Sequence, residues 1–142
     1  MPITDQQVAT LRALLSQDFA KHDHLVTELG NDSVHDGYYP LMIAAFGLAV
    51  QDRFQAPDAP DPAEWLQGIS AMVDTSSSID PVIARKLIDW ILGNARNEMP
   101  FTEQFPQLTM LLGLLTHERG FDEAELDAFL QRARDYADRV AQ

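Results

Sequence analysis

Histidine and aspartate crowd residues 22–36: His22-Asp23-His24 and then His35-Asp36. Imidazole and carboxylate are the side chains that hold a divalent metal. Asp18 and His22 are four apart, so a helix places them on one face. The same residues also describe a helix end and a polar turn with surface histidines. The remaining motifs point away from chemistry. The chain has no cysteine, which excludes thiol catalysis, Cys-ligated zinc and disulfides. His117-Glu118 is not a zinc-protease motif, because the residue four beyond His117 is Phe121. His117 and Arg119 instead suit the carbonyl end of a helix. Thr75-Ser76-Ser77-Ser78 has no nucleophile-elbow glycines around it and is expected to be a linker. No glycine-rich phosphate loop is present. Tyr38, Tyr39, Trp65 and Trp90 could line a small-molecule pocket between helices. Tyr38, on an entry turn, is expected to be the most exposed of them.

His22 with the His35-Asp36 pair resembles the metal-dependent HD-domain phosphohydrolases. These are all-α enzymes that use a His, a His-Asp pair and a later Asp. The resemblance implies a metal on His22, His35 and Asp36, with Asp52 or Asp89 as the last ligand. The residue pattern itself assigns no catalytic group, no cofactor and no metal.

The elements that would position these groups are helices. From Tyr38 to Val50 there is no charged residue. Tyr39, Met42, Ile43, Phe46, Val50 and Phe54 form one face; Leu41, Ala44, Ala45 and Leu48 fill the other side. A helix apolar nearly all round must be buried, and this one is too short to span a bilayer. A central helix over about 38–54 is therefore expected. Asp36 is placed to cap it, with Pro40 in its first turn. Before it, Thr4 and Gln7 form a capping-box pattern. Val8, Leu11, Leu15, Phe19, His22, Val26 and Leu29 then make one apolar stripe. Residues 5–29 form one helix or two, with Ser16 as the candidate break and cap. Asn31 to Gly37 reads as a turn.

After the central helix, Asp61-Pro62 and Asp80-Pro81 are two helix starts. The first helix carries Trp65, Leu66, Ile69, Met72 and Val73, and Asp74–Ser78 connects the two. Thr102 or Phe105-Pro106 opens the next helix, apolar around most of its girth, and Gly120 ends it. Asp122 and Glu125 open the last helix, with Leu126, Phe129, Leu130, Ala133, Ala137 and Val140 inward. No run alternates with period two. The fold class is all-α: one domain over 1–142, an orthogonal or irregular bundle of six or seven helices. Gly47 and Gly113 lie in the two most apolar helices, which are expected to be neighbours with a glycine at a helix crossing.

The chain has 142 residues and a formal charge of −12, spread over both halves. A surface of that sign repels phosphate backbones and anionic membranes. Nucleic acid and membrane are therefore not expected partners. A basic protein is. With 46% hydrophobic residues, one face left over for a homodimer is also plausible. No secretory signal pattern opens the chain, and a cytoplasmic protein is expected.

The stretch from Asp36 to Phe54, with Ile79-Asp80-Pro81, is similar to uncharacterised helical proteins of high-GC actinobacteria. Eight arginines against two lysines fit such a genome. The resemblance implies no activity. A non-enzymatic protein-interaction module, an adaptor or regulator, is the function expected. The alternatives are an acidic immunity-type inhibitor of a basic toxin, an HD-like phosphohydrolase and a small-molecule-binding helical domain.

Overall fold

Side-chain acceptors start most of the helices in the computed structural model, which describes residues 3–55, 57–72, 80–93 and 100–140. Helix α1 is Asp5–Leu15. Thr4 Oγ1 accepts from the Gln7 amide at 3.1 Å, and Gln7 Oε1 accepts from the Thr4 amide at 2.9 Å. Helix α2, Phe19–Ser33, starts from Asp18, whose carboxylate accepts from the Lys21 amide. A π-helical turn, Val34–Tyr38, runs into α3, Tyr39–Phe54. Helix α4 is Pro62–Met72, and α5, Pro81–Ile91, is capped by Asp80. Helix α6, Phe101–Arg119, ends at Gly120 in the left-handed region that glycine tolerates. Helix α7, Glu123–Val140, opens with the Asp122–Glu125 box. The described residues form seven α-helices and no strand, an all-α bundle. The Asp74–Ser78 connector and Val73 lie outside the described residues, as do the side chains of Ile69, Met72 and Val140.

Helix α3 is central. It packs on α1, α5, α6 and α7. Leu41, Met42, Ala44, Ala45, Phe46 and Val50 are buried, and Tyr39, Ile43, Leu48 and Phe54 are partly covered. The deepest side is thus not the row from Tyr39 to Phe54 alone but a broader surface that includes Leu41 and Ala45. Burying a side chain such as Phe46 contributes about 1.5–3 kcal/mol. Helix α6 meets α3 with Leu108, Leu111, Leu112 and Leu115 buried.

The first segment is two helices. Ser16 closes α1 and does not start α2. Gln17 reverses the chain in the left-handed region, φ 66°, and its side-chain amide donates to the Gly113 carbonyl at 3.1 Å. That tie holds a backbone conformation costly for a residue with a Cβ. Asp18, two residues later, is the cap.

Residues 31–37 are not the expected turn. The chain kinks at Gly30, φ 81° and ψ 162°, and then becomes helical again. The Tyr39 amide bonds the Val34 carbonyl five residues back, so the turn is wider than an α-turn. Asp36 lies in that wide turn and caps nothing; α3 continues out of it without a side-chain cap. The opening of α6 also differs. It begins at Phe101, and Pro106 lies inside the helix, where it removes one backbone donor.

The glycines lie where helices meet, as expected, though not where α3 and α6 meet each other. Helices α3 and α6 are neighbours. Gly47 nevertheless faces Ile91 of α5, and Gly113 faces Leu14 and the ring of Phe19. Neither marks a close α3–α6 crossing.

Candidate functional site

The three candidate metal ligands are not directed at one point. His22 is 3% exposed. Its Nε2 is 2.7 Å from the Tyr38 hydroxyl, and its Nδ1 is 3.5 Å from an Asp23 carboxylate oxygen. Burial lowers the His22 pKa, while the Asp23 hydrogen bond and charge oppose the shift. The neutral ring then accepts from Tyr38 and presents Nδ1–H to Asp23. His35 and Asp36 are exposed on the wide turn. Asp52 faces Arg132 at 3.6 Å, and Asp89 accepts from Arg85 at 3.0 Å. No group of three metal-binding side chains forms among the described residues.

Tyr38 reverses an expectation. It is fully buried, not exposed, with its ring 5.8 Å from His22 and 6.4 Å edge-on to Phe105. The wide turn rotates residue 38 inward relative to a cap on an ordinary helix start. Burial raises its pKa, so it stays a phenol. None of Tyr38, Tyr39, Trp65 and Trp90 lines the cleft described below.

Gln7 holds the wide turn from outside. Its Nε2 donates to the Ser33 hydroxyl at 3.0 Å and to the Ser33 carbonyl at 3.3 Å. The same side chain closes the α1 capping box. One buried glutamine therefore fixes the start of α1 and the entry to α3 together.

A second constellation joins α3, α4 and α6. Arg53 donates to one oxygen of Glu118, and the Trp65 indole N–H donates to the other at 3.0 Å. Trp65 also packs edge-on against Phe54 at 5.4 Å. Glu118 is thus not a spectator on the last turn of α6. Beneath the pair is a small cleft reaching Ala49, Leu115, Phe121 and Phe129. Arg53 and Trp65 come from consecutive helices, Glu118 lies 65 and 53 residues beyond them, and no spacing rule relates the three.

Charge is distributed unevenly over the surface. Arginine–carboxylate pairs tie α1 to α7 twice (Arg12–Asp127 and Arg134–Asp5), α3 to α6 (Arg53–Glu118) and α7 to α3 (Arg132–Asp52). None of these pairs reaches α2. Asp18, Asp23, Glu28, Asp32 and Asp36 are all exposed along α2 and the wide turn, with Lys21 the one lysine or arginine among residues 18–36. Glu28 meets His24 at 3.0 Å, and Asp23 meets buried His22. Helix α2 rests on α1 and the wide turn, and its outer face carries these carboxylates.

No described helix is long and apolar enough to cross a membrane. Comparison of the chain with protein-family models, with curated proteins and with solved structures found no match.

Proposed function

We propose that this chain is a non-enzymatic helical protein-interaction module that meets a basic partner protein on the outer face of α2. The observation that carries this is the uneven pairing of charge. Elsewhere, five of the described arginines, Arg12, Arg53, Arg85, Arg132 and Arg134, are matched to carboxylates; along Asp18–Asp36 five exposed carboxylates stand with one lysine and no arginine. Exposed like charges on one helix repel each other and oppose folding. A partner bearing lysines and arginines relieves that repulsion and is steered to the face by it. An immunity-type inhibitor of a basic toxin is the sharpest form of this function.

The test is co-purification of the tagged full chain from its native cells, repeated with Asp23→Lys/Glu28→Lys/Asp32→Lys. The expected result is a basic protein recovered in stoichiometric amount, held less tightly as salt rises, and lost with the triple variant. A control reversal at Asp127 and Asp135 on α7 should leave it bound. Recovery of no stoichiometric partner, or of one indifferent to the α2 reversals, would overturn the proposal.

A further inference from the structure

The cleft beneath Arg53 and Glu118 has a volume of about 60 Å³. Its floor is apolar, made by Ala49, Leu115, Phe121 and Phe129, and its mouth carries both signs of charge. Two mouth groups are already committed: Arg53 to Glu118, and Glu118 to both Arg53 and Trp65. Two retain capacity. Asp52 has only Arg132, at 3.6 Å, a contact too long for a strong hydrogen bond. Arg119 has no carboxylate partner among the described residues, and its guanidinium lies over the Phe121 ring at 5.5 Å. A carboxylate and a guanidinium therefore flank one small apolar hole.

We propose that this cleft binds a free α-amino acid with a short aliphatic side chain. Arg119 takes the α-carboxylate with its planar fork. Asp52 takes the α-ammonium, and the side chain drops onto the floor between Leu115 and Phe129. Size decides which amino acid. A cavity of about 150 Å³ holds the six carbons of benzene, so a cleft of about 60 Å³ suits the isopropyl group of valine better than a phenyl or indole ring. Charge decides the class. A zwitterion is neutral overall and is not repelled by a chain of charge −12. A plain carboxylate or phosphate would approach Asp52 and Glu118 unmatched, and a plain cation would leave Arg119 unused. The cleft lies between α3, α6 and α7, away from the outer face of α2, so it stands apart from the partner-protein proposal.

The full-length chain is titrated with millimolar L-valine while the Trp65 indole N–H is followed by NMR, since that group reports on Glu118 at the mouth. A saturable shift is expected. Valinamide, which lacks the carboxylate, and N-acetylvaline, which lacks the ammonium, should each bind about ten-fold more weakly or worse, the loss of one charge-assisted contact. Tryptophan should not bind. Arg119→Gln should weaken valine by a similar factor with the melting temperature unchanged, because the residue is exposed. Ala49→Leu, which fills the floor, should abolish the shift. No saturable shift in the millimolar range overturns the proposal. So does equal binding of valine, valinamide and N-acetylvaline.

Discussion

The Gln7 side chain occupies the space above Gly37: a Cβ on residue 37 would lie 2.0 Å from Gln7 Nε2. The glycine is required by that close approach, not by an unusual dihedral. Gly37→Ala must therefore push Gln7 off Ser33, and it should destabilise the protein by about 1–2 kcal/mol, the worth of the lost hydrogen bonds. In a Gln7→Ala background the three atoms nearest that Cβ are gone. There Gly37→Ala should stabilise, by about 0.5–1 kcal/mol, because alanine loses less backbone entropy than glycine in a helix. Urea unfolding of the four proteins of this double-mutant cycle checks the change of sign. Additive single effects would show that Gln7 and Gly37 are not coupled.

The buried hydroxyl of Tyr38 has one described partner, His22 Nε2. Tyr38→Phe leaves that nitrogen buried without a donor. The expected cost is about 1–3 kcal/mol, read as a lower urea midpoint with an unchanged slope. A variant as stable as the parent would mean that water replaces the phenol.

His22 makes stability depend on pH with a definite sign. Its folded pKa lies below the ordinary value of 6.5 because burial disfavours the imidazolium. The unfolded chain therefore takes the proton first as pH falls. The contribution is complete above the unfolded value and is lost on acidification through the lower folded one. Asp23 opposes this loss, being the carboxylate against Nδ1. Between about pH 7 and about pH 5, where histidine titrates, the parent should lose more stability than His22→Gln. Equal slopes for the two proteins would remove His22 from the explanation.

Glu118 joins three helices, so Glu118→Ala should be felt at Trp65. The ion pair with Arg53 is half-exposed and screened, which limits it to about 0–1 kcal/mol. The indole bond adds about 0.5–1.5 kcal/mol. A total loss of about 1–2 kcal/mol is expected, with a shift in tryptophan emission as the Trp65 N–H is released. Glu118→Gln keeps an acceptor for the indole and should retain most of the emission. Identical spectra for the two variants would contradict the assignment.

Local patterns in the chain were enough for the helices. The caps at Thr4, Asp80 and Asp122 and the stop at Gly120 act within a few residues, so their bonds are legible in neighbouring letters. The uncharged run from Tyr38 to Val50 could be satisfied only by burial, and α3 is central. The break near Ser16 was legible as polar cap residues, but which of them caps was not. That choice follows from the Gln17 bond to Gly113, a partner 96 residues away.

The entry to α3 shows where such legibility ends. Asn31–Gly37 has the composition of a turn, yet Gln7 reaches across from α1 and supports a wide helical turn there. Tertiary packing therefore overrode local preference, turned Tyr38 inward onto His22, and left His35 and Asp36 outside. The cleft between α3, α6 and α7 has the same origin. Arg53 and Glu118 are 65 residues apart, and nothing in either's neighbourhood encodes the other. Helix identity was thus a property of the sequence, because capping and amphipathicity are short-ranged. Which side chains meet was decided by the packing of whole helices, because long-range contacts depend on how those helices dock and not on residue spacing.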